Sequence, residues 1–196
     1  MLKQNKKIIL ASKSPRRQAL LKELNVDFEI RLQEVDEIYP EGMEGSAVPV
    51  FLSKLKGEVF KNDLKEDEIV ITSDTIVYIN HSILGKPLDR NDAIGILKTL
   101  SGNVHQVITG VTLQQKDSSF TFFESTEVYF KKLTDAEITY YIDTFKPFDK
   151  AGSYGIQEWI GYIGIEKING CFYNVMGLPL FRLNQELMRL GVIEIY

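Results

Sequence analysis

Cysteine is nearly absent. The chain of 196 residues has one, Cys171, which excludes an internal disulfide and a zinc site built from cysteines. Histidine is almost as scarce. His81 and His105 lie far apart, and neither sits in a metal-ligand spacing or has an evident nucleophile beside it, so a Ser-His-Asp hydrolase is not expected. Positive charge is in deficit, with a net charge of −4. Gripping nucleic acid through its phosphates takes a broad cationic surface, so stable nucleic-acid binding is not expected; a small anionic ligand needs only a few local cations. Long apolar runs are missing too. No stretch approaches bilayer-spanning length. The run Ile8 to Ala11 behind the basic start is too short for a signal peptide. The expectations are no membrane association and a cytoplasmic location.

What is present suits a packed globular protein: 44% apolar and 26% charged residues. One domain over 1–196 is expected, either a single compact body or one folded as two lobes. Residues 7–12 (KIILAS) read as a buried strand, followed by a helix opened by Ser14-Pro15 and stopped near Asn25. Phe28 to Leu32 alternates like a half-buried strand. Ser46 to about Phe60 carries a helical apolar stripe. Ile69 to Ile79 is rich in β-branched residues but is interrupted by Ser73-Asp74-Thr75. Asp89 with Asp92 and Thr134 with Glu137 are spaced as helix caps. The segments 104–113 and 120–130 read as a long hairpin, 146–179 as short strands and loops, and 180–190 as an amphipathic helix. Crossovers beside a hairpin imply an α/β fold with a mixed sheet.

The polar residues are ambiguous one at a time. Asp74 inside an apolar strand must be paired or reach water. Alone it reads most simply as an exposed strand position, and otherwise as a general base or metal ligand on a rigid strand. Ser12, Ser14 and Arg16 at a strand-to-helix junction could form an anion cradle or a capped helix with solvated arginines. Lys56 borders its helix's apolar face, as a snorkelling lysine does. Lys86 lies in the tight turn Gly85-Lys86-Pro87, which lacks the phosphate-loop pattern. Asp36 and Glu37 are a loop pair, or hard oxygen ligands for Mg²⁺ or Mn²⁺ if they fold near Asp74. Gln157 closes a glycine-spaced loop, and its amide is able to read the edge of a base.

The set is more informative than its members. In chain order stand LASKSPRRQALL at 10–21, SDT at 73–75, LGKP at 84–87, LSGNVHQVITGV at 100–111, DKAGSYGIQ at 149–157 and NVMGLPL at 174–180. From about Ile8 to about Leu190 the chain resembles the Maf family of nucleoside triphosphate pyrophosphatases, and the YGIQ segment resembles the dTTP/UTP subgroup. The resemblance implies a bent mixed β-sheet flanked by helices around a substrate cleft, similar to inosine triphosphate pyrophosphatases. It implies hydrolysis of dTTP or UTP to the monophosphate and pyrophosphate with a divalent metal, Mg²⁺ or Mn²⁺. It puts the catalytic aspartate on Asp74 and substrate selection on Arg16, Thr75 and Gln157. Phosphate and metal-associated positions fall on Ser12, Glu37, Lys56 and Lys86, with Asp74 and Glu37 as the metal ligands. A homodimer is expected from the family alone. The alternative is a nucleotide-binding regulator of cell division without turnover. The chain departs from the family's common residues at Lys146 and Glu158, both beside the 149–157 loop. Assigning neighbours Asp74 and Thr75 to one site conflicts with strand alternation, which predicts a bulge or a strand end there.

Overall fold

A computed structural model describes residues 1–196. Its strands are β1 (Leu2–Gln4), β2 (Lys7–Leu10), β3 (Phe28–Ile30), β4 (Glu68–Ile79), β5 (Ser82–Leu84), β6 (Val104–Gln114), β7 (Ser119–Phe130), β8 (Ile165–Asn169) and β9 (Ile193–Ile195). Its helices are α1 (Pro15–Lys22), α2 (Ala47–Glu58), α3 (Arg90–Leu100), α4 (Asp135–Phe145), α5 (Trp159–Gly164), α6 (Phe172–Val175) and α7 (Leu180–Arg189). The main sheet runs β3-β2-β4-β6-β7-β8, with β5 on the end of β4. Strand β2 is parallel to β3 and β4, and every other pairing is antiparallel. Strands β1 and β9 form a separate antiparallel pair.

The local signals act as their chemistry requires. Ser14 caps α1 by accepting from the Arg17 N–H, with Pro15 in the first turn. Asp89 accepts from the Asp92 N–H, and Thr134 with Glu137 makes a full capping box. Asn25 takes a left-handed conformation after α1. The parallel strand β2 is covered on both faces, so Ile8, Ile9 and Leu10 are all buried.

Packing on β4 sets up the site. Ile69 and Ile71 face a core that includes Leu20 and Leu21 of α1 and Leu183 and Leu187 of α7. Further along the same face, Val77 and Ile79 enter a second core with residues of α3 and α4. Between the two cores that face carries only Ser73 and Thr75. Helix α2 covers the opposite face, where Val48 and Leu52 meet Ile76 and Ile108.

Two expectations fail. Residues 146–179 hold only β8 as a strand; the rest is a 3₁₀ turn (Ala151–Ser153), α5, α6 and loops. Gly161 lets α5 fold back, since a Cβ there would lie 1.8 Å from the Ile156 carbonyl oxygen, and Trp159, Tyr162, Phe172 and Tyr173 sit on α5 and α6 rather than on strands. Nor is there a bulge at Asp74. The pairing of β4 with β6 is continuous from Val70↔Gln114 to Tyr78↔Gln106. No helix is long and apolar enough to cross a membrane.

Candidate active site

The break occurs beside β4 rather than within it. Pairing with β2 ends at Leu10↔Ile71, and pairing with β5 begins at Val77↔Leu84. Between those points β4 has β6 on one side and no strand on the other. Crevices at the carboxyl ends of parallel strands are where α/β sheets hold ligands. Here β2 leads Ser12 into the gap from one end and β5 leads Lys86 into it from the other. At such a local edge neither face of the strand is closed off by a second neighbouring strand, so a shared cleft for Asp74 and Thr75 does not require a bulge.

On the α2 face, Asp74 is buried to 9% exposure. Its carboxylate accepts from Lys56 Nζ at 2.7 Å, and the same nitrogen lies 2.9 Å from Glu37 Oε1. Lys56 therefore points inward across the strand and bridges two carboxylates from distant parts of the chain. This close approach depends on Gly110, the residue paired with Asp74 on β6. A Cβ there would stand 2.2 Å from the Pro49 carbonyl oxygen. Asp36 makes no side-chain contact of this kind and stays outside the cluster. Two convergent carboxylates are too few for a complete protein cage. They fit the partial oxygen set on which Mg²⁺ is shared with a ligand's phosphates.

On the opposite face, Arg17 inserts between the two cores. Its guanidinium donates to the Gly177 carbonyl at 2.9 Å, the Ser73 carbonyl at 3.0 Å and the Thr75 hydroxyl at 3.0 Å. Ser73 and Thr75 flank Asp74, so the fork clamps the backbone that carries the carboxylate. Burial pulls the Arg17 guanidinium below its ordinary value, and the charge of Asp74 opposes this most. Thr75 is also 2.9 Å from the Thr109 hydroxyl, which donates to the Asn174 carbonyl. The Thr75 hydroxyl is thus held mainly by protein.

The remaining expected residues line the approaches. The Ser12 hydroxyl is buried and accepts from the Ser14 N–H at 3.2 Å, which leaves its own proton to donate. Arg16 reaches across to Asp149 at 3.2 Å. Lys86 is exposed and takes part in no ion pair; its turn is tied to the 149–157 loop by the Gly152 N–H on the Gly85 carbonyl at 3.0 Å. Gln157 has a buried Oε1 with no protein partner. Asp74, Lys56 and Glu37 thus form one cluster, and Arg16 and Gln157 approach through the 149–157 loop. His105 is set apart, buried against Tyr154 with Nε2 2.8 Å from the phenol.

A family model described as Maf-like protein matches residues 7–190. The chain belongs to the Maf-like family. Among curated relatives, this Maf-like chain is 52% identical over 182 residues to the dTTP/UTP pyrophosphatase of Parabacteroides distasonis, covering 92% of this chain and 94% of the relative. It is 52% identical over 178 residues to that of Christiangramia forsetii, with 91% of each covered. It is 50% identical over 176 residues to that of Flavobacterium psychrophilum, with 90% of each covered. Among solved structures, a nucleoside-triphosphatase / dITP/XTP pyrophosphatase from Mycobacterium abscessus aligns at a TM-score of 0.43 and 14% identity, covering 65% of this chain and 75% of that one. The Staphylococcus aureus Ham1 protein aligns at 0.47 and 16%, covering 64% and 72%. These two likenesses are too loose to add to the fold described above.

Sequence reasoning missed two charged residues of this Maf-like site. Arg17 stands beside Arg16 in the SPRR segment, and nothing in that segment separates the two arginines. The usable signal was helix phase: Leu20 and Leu21 set the buried side of α1, and Arg17 precedes them by three and four positions. Lys150 is the other, 8% exposed between Asp149 and Glu158; it lies within the 149–157 motif, but no spacing there marks it as buried.

Proposed function

We propose that this Maf-like chain hydrolyses dTTP or UTP to the monophosphate and pyrophosphate in the gap beside Asp74. One observation carries the proposal: the Asp74–Lys56–Glu37 cluster, gathered on β4 where β2 has ended and β5 has not begun. The 52% identity to a protein named dTTP/UTP pyrophosphatase supports the choice of substrate.

The roles follow from chemistry and placement. Water adds at phosphorus beside the α–β bridge, the bond to the bridging oxygen breaks, and pyrophosphate leaves with the electron pair. Asp74 orients that water and takes its proton. Lys56 and Lys86, with the Ser12 hydroxyl, neutralise and hydrogen-bond the phosphates. Glu37 and Asp74 are the residues that would hold Mg²⁺ or Mn²⁺; bound there, such an ion supplies positive charge to the departing pyrophosphate. Once phosphates enter, Lys56 exchanges part of its carboxylate pairing for them. Arg16, Thr75 and Gln157 select the base from the opposite side of the strand. A site built to pair with one base rejects another because its own buried groups stay unpaired.

Pyrophosphate release from dTTP, UTP, CTP and GTP, with Mg²⁺ or Mn²⁺, tests this. Release should be fastest with dTTP and UTP, and Asp74→Asn should cut it by about 10²–10⁴-fold. Wild-type rates in that variant would remove Asp74 from the mechanism. Tight binding of dTTP by the wild-type chain with no release would favour the regulatory alternative instead.

A further inference from the structure

Glu158 follows Gln157 directly and lies outside the machinery assigned above. Its side chain is 21% exposed, and its carboxylate stands 3.1 Å from Lys150 Nζ. It also accepts the hydroxyl of Tyr141 from α4. Tyr141 is fully buried, and its oxygen accepts the Gly155 N–H at 3.1 Å. The Glu158 N–H donates to the Gly155 carbonyl at 3.0 Å. The turn is therefore closed twice, by its own backbone and by the carboxylate acting through Tyr141. The closure is tight, because a Cβ on Gly155 would stand 2.7 Å from Glu158 Cδ.

Two residues are enclosed by that turn. Ile156 is buried in the second core and anchors it. The Gln157 carbonyl accepts from the Tyr162 hydroxyl at 2.8 Å, while its Oε1 is buried and unpartnered. A buried acceptor without a donor is costly, and a ligand donor relieves it. The same carboxylate starts a run of alternating charges. Lys150 also pairs with Asp149 at 2.7 Å, and Asp149 pairs with Arg16 at 3.2 Å. That run links the Gln157 turn to α1 on the other side of the cleft.

We propose that Glu158 is a positioning residue for base selection: with Tyr141 and Lys150 it fixes the turn that aims the Gln157 amide and ties that turn to Arg16. The inference rests on the reading of Gln157 as a base-contacting residue. A purely structural ion pair would change stability and lower turnover of every substrate alike. A positioning role changes the ratios among substrates.

The test measures kcat and KM for dTTP, UTP, CTP and GTP with full-length wild type, Glu158→Ala, Tyr141→Phe, the double variant and Gln157→Ala. In Glu158→Ala, KM for the preferred base should rise about tenfold, as expected when a paired site loses its aim. Its kcat should stay within about threefold, and the ratio of preferred to disfavoured bases should flatten. Tyr141→Phe should move in the same direction, and the double variant should be no worse than Glu158→Ala, because coupled residues are not additive. Should Glu158→Ala fail to fold, Tyr141→Phe reads the same turn with its ring retained. Wild-type ratios in Glu158→Ala and Tyr141→Phe, or an equal fall on all four substrates, would overturn the positioning role. If Gln157→Ala flattens the ratios and the other variants do not, only that role is lost. If Gln157→Ala itself keeps wild-type ratios, the base-contact reading beneath it is lost as well.

Discussion

Replacing Gly110 by alanine should disable the site from a position that touches no ligand. Gly110 pairs with Asp74 across β6 and lies directly under α2. An added methyl would sit 2.2 Å from the Pro49 oxygen, 2.4 Å from its carbonyl carbon and 2.7 Å from the Val50 nitrogen. Carbon contacts settle near 3.5 Å, so α2 must back away by about 1 Å. All three obstructing atoms are backbone, so no rotamer change relieves the clash. Retreat of α2 loosens Val48 and Leu52 from Ile76 and Ile108, and overpacking of this kind costs about 1–3 kcal/mol. Lys56 moves with the helix and gives up its 2.7 Å contact with Asp74. A 1 Å misplacement in an active site costs about 10²-fold in rate. Urea unfolding and kcat/KM for dTTP measure the two effects together. Gly95→Ala is the control: it is exposed in α3 with nothing near its Cβ position, so it should gain up to about 1 kcal/mol and keep full activity. A Gly110→Ala protein with the wild-type urea midpoint and wild-type kcat/KM would refute the reasoning. Lost stability with full activity would refute the link from α2 to Asp74 alone.

The remaining predictions concern two buried groups. Arg17→Lys keeps the charge but loses the fork, leaving at least one of the Ser73 and Gly177 carbonyls without its donor. Stability should fall by about 2 kcal/mol, with a parallel fall in kcat, as measured by urea unfolding and pyrophosphate release; wild-type values for both would rule out the clamp. Burial holds the His105 imidazole down to about 4, against 6.5 in the unfolded chain. Between those values the unfolded chain binds the extra proton, so stability should drop by up to about 3 kcal/mol as pH falls from 6.5 to 4, with no contribution above 6.5. Urea midpoints across that range should slope less in His105→Gln, and identical slopes would exclude this histidine as the cause.

Much of the architecture was legible because its signals are local. Thr134 with Glu137, Asp89 with Asp92 and Ser14-Pro15 name helix starts through groups a few residues apart. The run at 69–79 needed only its β-branched content to be read as a strand. The cluster was legible only as a possibility, because Glu37, Lys56 and Asp74 come from a loop, a helix and a strand whose packing depends on Gly110. Lys56 shows the limit. On its own helix it had the profile of a snorkelling lysine, and what turns it inward is the pair of acids that the sheet brings beneath it. Residues 146–179 defeated pattern reading because glycine and aromatics are compatible with short helices as well as strands. Their conformation is set by tertiary contacts such as Val77 against Gly152.

The polar break at Ser73-Asp74-Thr75 makes physical sense as a seam. With valine at 73 and 75, the face of β4 would join the two cores into one, and burying each such side chain contributes about 2 kcal/mol. The chain instead places a serine whose buried hydroxyl has no partner and a threonine held by Arg17 and Thr109. Arg17 completes its fork because residue 75 is polar; with valine there the fork would lose the Thr75 hydroxyl and meet apolar surface, at a heavy desolvation cost. The stability given up on one face of β4 thus admits the group that clamps Asp74 on the other. An apolar substitution at Thr75 should therefore affect turnover through Arg17 before it affects any contact with the base. In Thr75→Val the loss in kcat should match that of Arg17→Lys, and the double variant should be no worse than either single one. A Thr75→Val protein with altered base ratios but unchanged kcat would leave Thr75 acting on the base alone and break the link to Arg17.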